Sequence, residues 1–301
     1  MGKCYPEFAM AKRIFLFIAT NIAIVATLSI VASVLGIGGY VGRQGLDIGS
    51  LAVFCLFWGM GGAFISLQIS RWIAKRATGV QLVNGRTGNS QADWLYQTVA
   101  RLTQGANLPM PEVGIYPSDE VNAFATGPSK SRSLVAVSSG LLHSMRPEEV
   151  EGVLAHEVTH IANGDMVTMT LLQGVINAFV MFLARIIAYA IARGDSRERG
   201  GGMQFLVVLV LQFVLGILGS LVVAWFSRQR EFRADAGGAH LAGRERMIGA
   251  LRRLAANAEL VDTSHQALAT MKINGARSWM TFFHTHPPLE QRIAALERYQ
   301  G

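Results

Sequence analysis

The chain has 301 residues, 51% of them hydrophobic and only 16% charged, with a formal net charge of +7. That is too apolar for an average soluble domain and long enough for more than one unit, so a membrane protein is expected. The basic residues gather at the ends of hydrophobic segments and form no aromatic-interleaved stripe, which points to a lipid bilayer as partner and away from nucleic acid.

Hydrophobic stretches close to the ~20 residues that cross a bilayer occur at Ile14–Leu35, Leu51–Ile69, Met166–Ala192 and Met203–Phe226. Lys12 and Arg13 precede the first and imitate a signal peptide, but the run is too long for one and lacks a small-residue cleavage site, so it reads as an uncleaved anchor. Lys3, Lys12 and Arg13 lie before this pair and Arg71, Lys75 and Arg76 after it, against Arg43 alone between them. The charge bias places both flanks in the cytoplasm. The third stretch contains Gln173, Asn177 and Arg185, which leaves a long buried helix of the soluble part as its alternative. Arg228, Arg230 and Arg233 follow the fourth, while Arg193, Arg197 and Arg199 in the exposed loop "RGDSRERGGG" blur its orientation. Cys4 and Cys55 are not expected to pair.

Between these stretches the composition is globular. Residues 1–76 therefore read as an N-terminal membrane pair, 77–165 as the first part of a soluble domain, 166–226 as a second hydrophobic pair and 227–301 as the second part of that domain. In the first part "QADWLYQTVARLTQGANLP" is a helix ending near Gly105. "EVGIYP", "EVNAFATG" and "SRSLVAVSSGLL" are short strands of a small sheet flanked by helices. Pro147, followed by Glu148 and Glu149, starts another helix.

That helix carries His156, Glu157 and His160 as HExxH. Residues four apart share a helix face, so the two imidazoles can bind one zinc ion, and Glu157 can take a proton from the attacking water. Asn163 and Met166 stand where a metzincin would carry glycine and its last histidine, which excludes that class; "GLDIG" is a poor match to the signature of an intramembrane zinc protease. A third ligand is needed. "SRQREFRADAGGAHLAG" places Glu231 and Asp235 four apart, suited to a ligand and to a carboxylate that accepts a histidine N–H. Chemistry alone leaves a surface ion-pair network with the neighbouring arginines as the commoner outcome for such a cluster. If the helix runs on past Gly164, Thr170, Gln173, Asn177 and Arg185 overlap the face of His156 and His160, and polar groups at membrane depth usually line a bundle interior or wet cavity.

"HEVTHIANGDMVTMTLLQG" followed by "REFRADAG", together with "VNAFATG", the leading hydrophobic pair and the terminal "HPPLEQRI", resembles the HtpX-type membrane zinc metalloproteases over nearly the whole chain. These are bacterial heat-shock proteases related to the CAAX prenyl-protein protease of eukaryotes. The resemblance implies a mainly α membrane protein with four hydrophobic helices and a zincin-like α+β cytoplasmic protease domain with a small sheet. It implies one Zn2+ per chain held by His156, His160 and Glu231, with Glu157 as catalytic base and Asp235 orienting His156. His286 and Arg292, six apart, match the family's pair that stabilises the oxyanion and organises the site; His284 is a neighbour that could be confused with His286. Asn122, Ala123, Phe124 and Ala125 match the edge strand beside which substrate lies extended. The expected substrates are membrane proteins or unfolded polypeptides, handled in stress response and quality control at the cytoplasmic face of the bacterial inner membrane.

Three other readings remain. Prenyl-protein processing is disfavoured because that relative has more spans than the four counted here. A non-catalytic membrane chaperone or adaptor has no need of Glu157. A zinc transporter should carry its ligands within the spans. His143, His240 and His265 are isolated and read as surface or structural.

Overall fold

The computed structural model describes residues 41–42, 45–193, 201–264 and 286–299. The stretch Ile14–Leu35, Cys4, most of the loop between Arg193 and Gly202, His265 and His284 lie outside the described residues. The elements in chain order are β1 (Val41–Gly42), β2 (Gly45–Leu46), α1 (Ile48–Thr78), β3 (Gln81–Val83), α2 (Ser90–Gly105), β4 (Glu112–Tyr116) and β5 (Ala123–Ser129). They continue with β6 (Arg132–Ser138), α3 (Ser139–Ser144), α4 (Pro147–Asn163), α5 (Asp165–Arg193), α6 (Gly201–Ala242), α7 (Arg244–Ser264) and α8 (Leu289–Arg298). The protein is mostly helical with a small mixed sheet. Two compact units emerge, Met1–Gln68 with Thr168–Val223, and Ile69–Val167 with Ala224–Gly301.

In the first unit, α1, α5 and α6 supply segments long and apolar enough to cross a membrane, three such helices among the described residues. Their large side chains point outward: Phe64, Phe179, Phe205 and Phe213 are 60–70% exposed, an arrangement that lipid satisfies and water does not. The polar residues of α5 find partners on their own helix. Gln173 Nε2 donates to Asn177 Oδ1 at 2.8 Å, and Arg185 donates to the Met181 carbonyl at 3.1 Å while its guanidinium lies 5.2 Å from the Phe54 ring.

The second unit is built on a four-stranded sheet of order β3-β4-β6-β5, with β4 and β6 parallel and the outer pairs antiparallel. This leaves β5 as an edge. The hairpin register runs from Ala123 opposite Val137 to Thr126 opposite Leu134. One face of the sheet buries Val135 and Val137 against Leu95, Val99 and Leu102 of α2 and Leu154, Val158 and Ile161 of α4, a single apolar core. Burying each such side chain contributes about 1.5–3 kcal/mol. The opposite face packs Tyr116, Phe124, Leu134 and Ala136 together. The sequence pattern carries the third strand too far: the pairing ends at Ser138, whose Oγ accepts from the Leu141 N–H at 3.0 Å and caps α3. Strand β3 is too short to show alternation.

Helix α4 begins as its sequence directs. Pro147 occupies its first turn, and Glu149 reaches back to the Arg146 backbone N–H at 2.8 Å and pairs with the Arg146 guanidinium at 3.0 Å. Its end corrects the reading of one helical run into the third hydrophobic stretch. Gly164 adopts φ 68°, ψ 30°, a left-handed conformation that costs glycine little, and its N–H caps the carbonyls of His160 and Ile161. Asp165 then opens a new helix, so the helical phase of His156 and His160 does not carry over to Thr170 and Gln173.

Candidate metal centre

Helix α4 presents His156 and His160 on one face, as their spacing requires, and α6 lies against it. The approach is close because α6 carries glycines there. A Cβ on Gly237 would come 2.4 Å from Thr159 Cγ2, and one on Gly238 would come 3.2 Å from the His156 backbone nitrogen. Within the two turns before these glycines on α6, Glu231 and Asp235 reach the imidazoles. Helix α8 packs its Leu296 with Ala239, Met247, Ile248 and Leu251, and this places Arg292 behind the same site.

Nε2 of His156 and Nε2 of His160 are 3.0 Å apart, with the rings at 86° to one another. Glu231 Oε2 lies 3.3 Å from the first nitrogen and Glu231 Oε1 lies 3.4 Å from the second. Three ligand atoms bound tetrahedrally at ~2.0–2.1 Å would be separated by about 3.3 Å, which is close to the spacing found. Glu231 is wholly buried, yet its Oε2 makes no hydrogen bond of acceptable geometry. A buried carboxylate oxygen left in that state is what a cation would satisfy. The donor set, two neutral-capable imidazoles and one carboxylate, therefore fits a divalent metal, and His156, His160 and Glu231 are the group that could hold it.

Around these three stands a ring of buried charge. His156 Nδ1 is 2.9 Å from Asp235 Oδ1, and Arg292 grips the same carboxylate through Nε to Oδ2 at 2.7 Å and Nη2 to Oδ1 at 2.6 Å. His160 Nδ1 is 2.6 Å from Asp165 Oδ2. Arg230 pairs with Glu231 Oε1 at 3.1 Å, and His286 Nδ1 approaches Glu231 Oε2 at 3.0 Å from a largely exposed position. Burial by itself would depress the His160 pKa, but the Asp165 and Glu231 carboxylates outweigh it and push it up to about 9. His156 is raised in the same way, against its burial, by Asp235 and Glu231. Burial would raise Asp235 and Glu231, yet both stay well below the usual carboxylate range, Asp235 chiefly through Arg292 and Glu231 chiefly through the two imidazoles.

A cleft of about 150 Å³ opens onto this cluster. Glu157, His286 and Arg292 line it together with His156 and Glu231, and so do Asn122 and Ala123 at the start of β5. Phe124 is not brought into the cleft; its ring packs 5.6 Å from Tyr116 on the opposite face of the sheet. Ala125 packs into the core beside β6. Arg292 is 6% exposed and engaged by Asp235, with its Nη1 3.5 Å from Glu231 Oε2. His143 and His240 are exposed and lie in other places. The sequence patterns overlook Asp165 and Arg230. For Asp165 the signal was an acidic residue directly after the glycine that ends the HExxH helix.

Residues 89–300 match the sequence profile of Peptidase family M48. The chain is 54% identical to Protease HtpX of Idiomarina loihiensis over 289 residues, covering 95% of this chain and 99% of that protein. It is 50% identical to the Protease HtpX homolog of Methylacidiphilum infernorum, with 96% and 99% covered, and 51% identical to Protease HtpX of Aeromonas hydrophila, with 95% and 99% covered. Among solved structures it resembles the crystal structure of S. mikatae Ste24p, with a TM-score of 0.65 at 18% identity, covering 95% of this chain and 64% of that one. The fold is thus shared with Ste24p, and the full-length identity lies with the HtpX proteins. A buried two-histidine, one-carboxylate cluster, helices long and apolar enough to cross a membrane, and a profile match over most of the chain meet in one conclusion: this protein is a membrane metalloprotease belonging to Peptidase family M48.

Proposed function

We propose that the protein is a zinc-dependent endopeptidase that hydrolyses misfolded or damaged membrane proteins, and unfolded polypeptides, at the cytoplasmic face of a bacterial inner membrane. The observation that carries this reading is the convergence of His156, His160 and Glu231 on one point in a cleft that Glu157 also lines. His156, His160 and Glu231 hold one Zn2+. When bound, zinc supplies Lewis acidity and makes water nucleophilic near neutral pH. Glu157 takes the proton of the attacking water and passes it to the leaving amine. The edge strand β5, which begins at Ala123 beside Asn122 in the cleft lining, receives substrate as an extended strand, a mode that reads backbone and tolerates sequence variety. His286, exposed at the mouth of the cleft, donates to the oxyanion as it develops. Asp235, backed by Arg292, fixes the His156 ring.

In this reading Ile14–Leu35 supplies a fourth span, with residues 1–76 and 166–226 in the bilayer and 77–165 and 227–301 forming one cytoplasmic protease domain. The charge asymmetry around the first two hydrophobic stretches supports that orientation. Two experiments test the proposal. Purified, zinc-loaded protein should digest casein and an unfolded membrane protein, and a chelator should abolish the digestion. Single-cysteine labelling in intact cells and inverted vesicles should find residues 79–165 accessible from the cytoplasm only; labelling from the periplasm would overturn the topology.

A further inference from the structure

Asp165 belongs to no part of the HExxH pattern, yet its Oδ2 lies 2.6 Å from Nδ1 of His160 and it is 4% exposed. In an unbroken helix a residue five positions after His160 would stand about 140° around the axis and could not meet that ring. The contact exists because Gly164 turns the chain through a left-handed conformation before α5 starts. An acidic residue placed only to favour a helix start has no reason to be buried against an imidazole.

We propose that Asp165 is a positioning residue for the metal site, the counterpart on His160 of what Asp235 is on His156. The inference rests on the reading of His156, His160 and Glu231 as metal ligands. An ionised carboxylate can only accept a hydrogen bond. It therefore holds the imidazole proton on Nδ1, leaving the Nε2 lone pair directed at the point where His156 Nε2 and Glu231 converge. Both histidines then share one design: Nδ1 toward an aspartate, at 2.9 Å for His156 and 2.6 Å for His160, and Nε2 toward the other's Nε2. The two aspartates reach the site by unrelated routes. Asp235 comes one turn after Glu231 on α6, whereas Asp165 follows the helix-ending glycine of α4 itself.

The test compares the full-length protein with its Asp165→Asn, Asp165→Ala and Glu231→Gln variants. Zinc affinity is read by competition with a chelator, the ligand field by the visible spectrum of the cobalt-substituted protein, and folding by the melting temperature of the metal-free protein. Asn can still accept from Nδ1 but lacks the charge, so Asp165→Asn should bind zinc about 10-fold more weakly and Asp165→Ala about 100-fold. Both cobalt spectra should shift and the metal-free melting temperatures should hold. The Asn variant alone suffices if the Ala variant does not fold. Wild-type zinc affinity in Asp165→Asn and Asp165→Ala, or a loss that only tracks a lowered metal-free melting temperature, overturns the proposal. Full zinc binding in Glu231→Gln would instead overturn the ligand reading on which it stands.

Discussion

Arg292 and Asp235 lie 57 positions apart in sequence and form a two-pronged ion pair, Nε to Oδ2 at 2.7 Å and Nη2 to Oδ1 at 2.6 Å, with both residues almost fully buried. The pair holds α8 against α6 and presents the Asp235 carboxylate to His156. Breaking it from one side leaves a buried charge without its partner, which typically costs ~3–5 kcal/mol. Arg292→Gln should therefore lower the melting temperature of the detergent-solubilised protein sharply. The double variant with Asp235→Asn should be less destabilised than the sum of the single variants; simple additivity would mean that the pair is not coupled.

Glu157→Gln should retain the fold and a full complement of metal while peptide hydrolysis falls by several orders of magnitude, because the attacking water loses its proton acceptor. Metal analysis and casein digestion on one preparation check this. The variant should also stop any self-cleavage in the loop between Arg193 and Gly202 during purification. Near-normal turnover would remove Glu157 from the role of base.

Glu231→Gln and Asp235→Asn should differ in kind. The first replaces an anionic ligand by a weak neutral one, so the purified protein should carry markedly less zinc and show little activity. The second keeps the ligand set and loosens the His156 ring, at ~10–100-fold in affinity or activity, so zinc should be recovered at saturating metal. An ion-pair network alone would leave zinc content untouched in both variants, whatever its effect on stability.

The pH dependence should invert between the metal-free and metal-loaded proteins. The His160 pKa is raised from 6.5 to about 9, so its contribution to the stability of the metal-free fold is complete below 6.5 and is lost as pH rises through about 9. Asp235, lowered from 3.8, contributes above that value and loses its effect on further acidification. Metal-free protein should thus melt highest in mildly acidic buffer and lower at alkaline pH. Zinc must displace the His160 proton below about 9, so zinc affinity should rise with pH over the interval from 6.5 to 9. Melting curves and chelator competition across this range decide it.

Periodicity and spacing were enough to locate α2, α4 and, among the described residues, the apolar helices α1, α5 and α6, since each is specified by residues within a few turns of one another. The same local logic sets the start of α4 at Pro147 and puts His156 and His160 on one face. Gly164 was visible as a possible break, but only its backbone conformation shows that the helix ends there. Local pattern could not tell the strand "SRSLVAV" from the helical turn that follows it, because Ser138 serves both as the last paired residue and as a cap. Nor could it decide whether Glu231 and Asp235 face solvent or a metal site, because a one-turn spacing is equally suited to a surface ion-pair network. That was decided by packing at a distance. Glycines 237 and 238 let α6 approach α4, the apolar contacts of Leu296 bring α8 and Arg292 behind it, and Asp165 turns back onto His160. Sequence fixes which side chains one helix face can offer; burial of ionisable groups from four separate helices around one point depends on long-range contacts that no local pattern encodes.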